Sequence, residues 1–487
     1  MKAFVRFVTL LWVATLLLAC TQTTPIPQAT QTLSPTNTSQ PTQILSTDTP
    51  QPTTPPQATT TEVSPERIAA GQTFADQFLN RDYAAVVAQF DATMKSVFPI
   101  DKVKEARESL EPQLGAFKGT VGTHAEKYEQ YDIVYVTWEF EKATIDLKIV
   151  FDQSGQVAGL FFQPSQSTPP TPYTPPAYVS PDAFGEQEVT VGSGEWALPG
   201  TLTLPVGEGP LPAVVLVHGS GPNDRDETIG PNKPFRDLAW GLASQGIAVL
   251  RYEKRTKQHA AKFTEDVLAN LTVQEETVDD ALAAVTLLRQ TNGIDPARIY
   301  VLGHSLGGYL LPRIGSSDPQ IAGLISMAGP TRPLEDITLE QVTYITGLDG
   351  TPTPEEQASL DQLAAQVARV KDPNLSAATP AADLPLGIPA NYWLDLRGYN
   401  PAEAAKVLQE PMLILQGERD YQVTTADFEG WQSALASRSD VQFKLYPNLN
   451  HLFIAGEGKI TPTEYQTAGH VAEQVIVDIA EWIKSTP

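Results

Sequence analysis

The sequence predicts a doubly wound α/β domain with a mostly parallel sheet, preceded by a small α+β domain. Three observations lead there. From Glu186 onward, short runs rich in Val, Ile and Leu alternate with helical patterns, as strands buried on both faces of a parallel sheet do. The 487 residues exceed one ordinary domain. Two proline-rich stretches, one near the start and one at 164–185, separate the folded parts. Apolar residues make up 41% of the chain, enough for a real core, and the formal net charge is −24, from 33 basic and 57 acidic residues. That balance repels phosphate backbones and argues against a nucleic-acid partner.

Taken in order, Lys2 and Arg6 precede an apolar run from Phe7 to Leu18, about 12 residues and too short to span a bilayer. The run ends in Leu17-Leu18-Ala19-Cys20, which resembles a bacterial lipobox, and Cys20 is the sole cysteine of the chain. Residues 1–20 are therefore expected to be a lipoprotein signal. Cys20 would carry the lipid that anchors an exported protein to the membrane. The alternative is an ordinary cleaved signal with a chance cysteine. Residues 21–63 are almost entirely Thr, Pro, Gln, Ser and Ala, a composition that cannot bury enough apolar surface to fold. They read as a tether reaching up to ~130 Å if polyproline-like.

Residues 64–163 read as the small domain. Ser64-Pro65-Glu66 is a helix start, Phe74, Phe78 and Leu79 recur at helical spacing, and Val86, Val87 and Phe90 suggest a second helix. After Gly115 the period becomes two: Val134, Val136, Trp138 and Phe140 on one strand face, Ile145, Leu147, Ile149 and Phe151 on the next. Asp152 to Gly155 is a turn, and Val157 to Phe162 a last strand. His124 stands alone as a surface or packing residue, and the domain is read as accessory. Residues 164–185 are read as a linker.

In the domain from 186 to 487, strands are expected at Ala213–His218, Ile247–Tyr252, Arg298–His304, Ile321–Met327, Met412–Gln416 and Val441–Tyr446. Between two of the helical stretches, Gly303-His304-Ser305-Leu306-Gly307 is a G-x-S-x-G at a strand-to-helix junction. A serine there is forced into a tight exposed bend, and side chains at either flanking glycine would clash. Ser305 is the candidate nucleophile.

A nucleophilic serine needs a base, and the chain has six histidines. His304 is inside the bend, His218 ends an earlier strand, His124 is in the other domain, His259 lies in a polar segment, and His470 opens the last helix. His451, in the loop after Val441–Tyr446, remains. The acid should fall between Ser305 and His451 in the chain, and Asp420, at the end of the strand Met412–Gln416, fits best. Glu418 and Asp427 are its competitors. His451 would take the proton of Ser305 as it attacks an acyl carbonyl, and Asp420 would hold the imidazole. The oxyanion needs two N–H donors: the backbone of Leu306, and one from His218-Gly219-Ser220-Gly221, with the Ser220 N–H the first choice. No cofactor or metal is called for. About 70 residues between Gly329 and Asn400, far longer than a usual connection, carry Leu360, Leu363, Ala364, Val367 and Val370 at helical spacing. They are expected to form a helical lid at about 330–400, with Tyr392 and Trp393 either lining the pocket or packing the lid.

The blocks HGSGPNDRDE from His218, RYEKR from Arg251, GHSLGG from Gly303, LQGERDYQV from Leu415 and YPNLNHLF from Tyr446 resemble α/β-hydrolase serine esterases. They are closest in pattern to the bacterial EstD-type carboxylesterases, which also carry a small N-terminal domain. That resemblance implies the α/β-hydrolase fold, a Ser-Asp-His triad at Ser305, Asp420 and His451, and hydrolysis of small short-chain acyl esters. Related branches include serine aminopeptidases. Two function classes follow: an esterase, with peptidase or thioesterase as variants, and a surface binding protein on a hydrolase scaffold.

Overall fold

The computed structural model describes residues 63–128, 131–141, 143–165, 173–207, 209–348 and 350–486. The predicted signal, Cys20 and the tether up to residue 62 lie outside them. Among the described residues no helix is long and apolar enough to cross a membrane. The chain divides into two compact units near Pro170.

The first unit opens with helix α1 (Pro65–Leu79), where the Ser64 hydroxyl accepts from Arg67 N and proline fills the first turn. Helices α2 (Tyr83–Ala88), α3 (Ala92–Val97) and α4 (Ile100–Leu114) follow. The expected second helix stops before Phe90. Asp91 Oδ1 accepts from Met94 N at 2.6 Å and starts α3 instead, and Phe90 bridges to Val157 with its side chain fully buried. Strands β1 (Phe117–Tyr128), β2 (Tyr131–Phe140), β3 (Thr144–Phe151) and β4 (Val157–Pro164) form an antiparallel sheet in that order. Alternation puts Val134, Val136, Trp138, Leu147 and Ile149 in the core, where Phe78 stacks on Trp138 with centroids 6.0 Å apart. His124 stacks on Tyr135.

Part of the segment read as linker belongs to the second unit. Tyr178 donates to Val471 O at 2.8 Å, and Ser180 N to Ser244 Oγ at 2.9 Å. Aromatic and polar side chains between the prolines give this stretch somewhere to dock.

The second unit is an eight-stranded sheet in the order β12-β11-β10-β9-β7-β8-β6-β5. The strands are β5 (Phe184–Val191), β6 (Leu198–Pro205), β7 (Leu211–Val217), β8 (Ala248–Tyr252), β9 (Ile294–His304), β10 (Gly323–Met327), β11 (Met412–Gly417) and β12 (Val441–Tyr446). β7 to β12 pair in parallel, whereas β5 and β6 are antiparallel additions at one edge. Neither edge strand was anticipated: both are polar on one face, unlike the continuous apolar runs of the central strands. Helices α5 (Pro234–Ser244) and α12 (Glu473–Ser485) cover one face, and α6 (Asp279–Arg289), α7 (Leu306–Ser317) and α11 (Thr425–Ala434) the other. Along β7, Ala213, Val215 and Val217 enter the second of these layers while Val214 and Leu216 enter the first. This is the α/β-hydrolase arrangement. The chain runs from β7 through α5 to β8 on one side, then returns to β9 on the other. The crevice beyond the C-terminal ends of β7 and β9 is the switch point where such sheets bind ligands.

Candidate active site

Ser305 sits between β9 and α7 at φ 53°, ψ −115°, a conformation that non-glycine residues adopt only when their surroundings impose it. Here the imposition is visible. Ser305 N donates to Met327 O at 2.9 Å. A Cβ on Gly303 would lie 2.3 Å from the carbonyl carbon of Gly307, and one on Gly307 2.3 Å from the carbonyl oxygen of Val217. The two glycines of G-x-S-x-G are thus required by close backbone approach, and the serine between them is only half-buried.

His451 follows β12 in a turn closed by Asn450, whose Oδ1 accepts from Leu452 N and Ile454 N. Its Nδ1 is 2.6 Å from Asp420 Oδ2. Asp420 is buried beyond β11, and its other oxygen accepts from Gln422 N at 2.7 Å and Val423 N at 3.1 Å. That grip leaves Oδ2 for the imidazole. Of the two competitors, Glu418 is exposed, and buried Asp427 is engaged by Arg332 at 2.7 Å and by Thr331 N at 2.8 Å.

Ser305, Leu306, His451, Gly219 and Ser220 line one cavity of about 230 Å³. Leu306 is the first residue of α7, where an N–H has no intrahelical acceptor. Gly219 lies close beside the nucleophile, since a Cβ placed on it would stand 3.2 Å from Ser305 Cβ. The Gly219 N–H is taken by Glu227 Oε1 at 2.6 Å, and Ser220, the next residue of this loop, lines the cavity. Apolar side chains close the cavity, among them Leu268, Leu271, Leu334, Ile337 and Ile388.

The expected lid is helical: α8 (Leu334–Thr346), α9 (Pro354–Lys371) and α10 (Ala390–Leu396). α8 contributes Leu334 and Ile337 to the cavity, while α9 packs behind with Leu360, Leu363, Val367 and Val370 buried. Tyr392 and Trp393 both line the cavity and pack, buried, within the lid.

Four charged residues to which the sequence assigns no role, His304, Glu227, Lys254 and Glu276, stand around this site. His304, buried beneath the bend, has Nδ1 2.8 Å from Glu227 Oε2, an ion-pair contact off-line for a hydrogen bond. Its Nε2 is 3.0 Å from the His451 carbonyl oxygen. Both ring nitrogens face acceptors, which calls for the doubly protonated ring. Burial pulls His304 down, but the Glu227 carboxylate outweighs it and leaves the ring above its ordinary value. Burial pushes Glu227 up, but His304 outweighs that and holds it low. His218 has no such partner strength, and burial drives it down to about 4. Lys254 Nζ is 2.9 Å from Glu276 Oε1, and Glu276 Oε2 accepts from the Tyr392 hydroxyl at 2.7 Å. Glu227 and Lys254 do lie in the quoted blocks HGSGPNDRDE and RYEKR, which was the available signal. Glu276 projects from a wide π-type turn, Gln274–Val278, for which the sequence carries no sign.

Two parts of the chain match known protein families. Residues 210–457 match the family described as serine aminopeptidase, S33, and residues 71–160 match a domain described as of unknown function, DUF3887. The chain is 40% identical over 411 residues to esterase EstD of Thermotoga maritima, which covers 84% of this chain and 93% of that one. It is 28% identical over 195 residues to a monoacylglycerol lipase of Mycolicibacterium smegmatis, covering 38% of this chain and 61% of the relative. Among solved structures, an esterase of Pyrococcus furiosus aligns with a TM-score of 0.40 at 16% identity, over 64% of this chain and 97% of the other. The extent of the family match and of the 40% identity settles membership: the chain is a serine hydrolase of the α/β-hydrolase family described as serine aminopeptidase, S33.

Proposed function

We propose that the protein is a carboxylesterase acting on short-chain acyl esters through an acyl-enzyme on Ser305. His451 removes the Ser305 proton as Oγ attacks the ester carbonyl. Asp420 keeps the imidazole in the required tautomer and balances the imidazolium. The tetrahedral oxyanion accepts from the N–H groups of Leu306 and Ser220. His451 then protonates the departing alcohol, and water releases the acid from Ser305 by the same steps in reverse order.

The observation that favours an ester over an aminoacyl amide is the state of the carboxylates around the cavity. An aminopeptidase must hold a free α-ammonium with a carboxylate. Glu227 and Glu276 are the carboxylates among the described lining residues, and all four of their oxygens are engaged, by Gly219 N, His304, Lys254 and Tyr392. In the lid, Asp336, Glu340 and Asp395 are paired with Lys371, Arg332 and Arg313. The cavity volume of about 230 Å³ falls below the roughly 300–1,000 Å³ of sites for larger ligands, which favours short acyl groups. The test is a comparison of methyl or ethyl esters with amides of the same acyl group. Esters are expected to be cleaved with kcat/KM at least ~100-fold higher, a transition-state difference of roughly 2.7 kcal/mol. A preference for aminoacyl amides would overturn the reading.

The same proposal includes export and a lipid anchor. Its support is the run Leu17-Leu18-Ala19-Cys20 followed by the Thr/Pro-rich segment. Cys20→Ser is expected to move the protein out of the membrane fraction, and unchanged partitioning would contradict the anchor.

A further inference from the structure

Gly219 lies two residues beyond the end of strand β7 and is followed directly by Ser220, whose N–H the proposed mechanism assigns to the oxyanion. A peptide unit is planar and trans, so the carbonyl of Gly219 and the N–H of Ser220 form one rigid group and point in opposite directions. Whatever grips that carbonyl therefore aims that N–H. The grip is a charge: Lys254 Nζ donates to Gly219 O at 2.7 Å, with Asn223 Nδ2 at 3.2 Å beside it. Lys254 is 2% exposed and does not line the cavity. By the trans geometry the Ser220 N–H points away from that ammonium, and Ser220 itself lines the cavity with Ser305.

The ammonium is itself held. Glu276 Oε1 is 2.9 Å from Lys254 Nζ, and Glu276 Oε2 accepts from the Tyr392 hydroxyl at 2.7 Å. Burial, followed by the Glu276 carboxylate, keeps Tyr392 protonated and a donor. Tyr392 belongs to lid helix α10. The carboxylate reaches between lid and lysine because it stands on a π-type turn, a feature that recurs at functional sites. A continuous chain of contacts thus runs from the lid, through Glu276 and Lys254, to the oxyanion peptide.

We propose that Lys254 is a positioning residue that orients and polarises the Gly219–Ser220 peptide, and that Glu276 and Tyr392 make this depend on the seated lid. The proposal rests on the reading of Ser220 N–H as an oxyanion donor. Its physical basis is ordinary. A charged donor on an amide oxygen strengthens the N–H at the other end of the same amide. The gain is realised when negative charge develops on the substrate oxygen, so it belongs to kcat and to transition-state mimics and leaves ground-state binding alone. A purely structural role is the weaker account, because a buried ion pair contributes little net stability.

The test uses the full chain and three variants. Lys254→Met removes the ammonium at similar length, Lys254→Met/Glu276→Gln also removes the stranded carboxylate, and Tyr392→Phe breaks the lid contact. Each is assayed for kcat and KM on p-nitrophenyl butyrate, and for inhibition by a trifluoromethyl ketone of the same chain length, whose adduct with a serine carries a negative oxygen. Both Lys254 variants are expected to lose about 100-fold in kcat, with KM within about threefold of the parent and inhibition weakened by the factor lost in kcat. Tyr392→Phe is expected to follow the same pattern at about 3- to 10-fold. Recovery of near-parental kcat in the double variant would assign the loss to the stranded Glu276 and overturn the proposal, as would a loss confined to KM. Ser305→Ala is measured alongside. If it keeps turnover, the underlying mechanism fails and this proposal with it. If it is dead while the Lys254 variants turn over normally, the positioning proposal alone fails.

Discussion

In the small N-terminal unit the interior is mostly hydrocarbon. Phe74, Phe78, Phe90, Trp138, Phe140 and Phe151 are fully or almost fully buried, and among its described residues the buried charged groups are Arg107 and Asp146. At the C-terminal edge of the large sheet the interior is ionic: His218, Glu227, Lys254, Glu276, His304, Asp420 and His451 are all buried around one cavity. Desolvating so many ionisable groups costs stability that their mutual attraction barely offsets. The contrast indicates what each region is organised for. Packing in the first serves cohesion. In the second, three of these side chains are tied to backbone groups of the site: Glu227 to Gly219 N, Lys254 to Gly219 O, His304 to His451 O.

Truncating one residue of each kind separates the two roles. His451→Ala is expected to lower kcat by about 10⁴- to 10⁶-fold, because triad members act as a unit. Asp420→Asn should cost somewhat less, on the order of 10⁴-fold, through the wrong tautomer. Thermal unfolding of both variants should stay close to that of the parent. Near-normal turnover in Asp420→Asn together with loss in Glu418→Gln would move the acid to Glu418.

The opposite pattern is expected of Trp138→Ala, which empties the centre of the small unit's core. It should cost that unit about 3–5 kcal/mol of stability and leave kcat on a small ester within about twofold of the parent. A large fall in kcat with the second unit still folded would mean that the two regions are not energetically separate.

The smallest effect concerns the ion pair under the serine. Glu227 is held below its ordinary 4.5, so its contribution to stability is present above that pH and is lost as pH falls through the lowered folded value. His304 is held above 6.5, so its contribution is full below 6.5 and is lost as pH rises through the raised folded value. Together they stabilise most between about pH 4.5 and 6.5. Glu227→Gln removes the carboxylate and leaves burial to favour the neutral ring. The Tm advantage of the parent over this variant should be greatest in that window and shrink by a few degrees toward alkaline pH. A difference independent of pH would show that His304 is neutral in the folded protein.

The same contrast explains what the sequence made legible. The central strands could be read from Ala213 to Tyr446 because burial on both faces leaves continuous apolar runs. The candidate site could be proposed from the sequence because Ser305 demands two glycines and because five of the six histidines have another place. β5 and β6 escaped because an edge strand with one polar face resembles loop. The Phe90 break escaped because helical spacing continues through it, although the helix closes at Gln89 and Asp91 caps the next one. Lys254, Glu276 and Glu227 escaped because a charged side chain in sequence reads as solvated. Only the folded chain brings Lys254 and Glu276 to 2.9 Å from each other behind the same peptide.

The proposed mechanism rests on acyl transfer through Ser305. It is tested most directly by treating the full chain with a fluorophosphonate, following ester hydrolysis to completion of labelling, and locating the adduct by peptide mass spectrometry. One adduct per chain is expected, on Ser305, formed in step with the loss of activity and absent in Ser305→Ala, which should also be inactive. An adduct on another side chain that tracks the loss of activity, or turnover that survives full modification of Ser305, would contradict it.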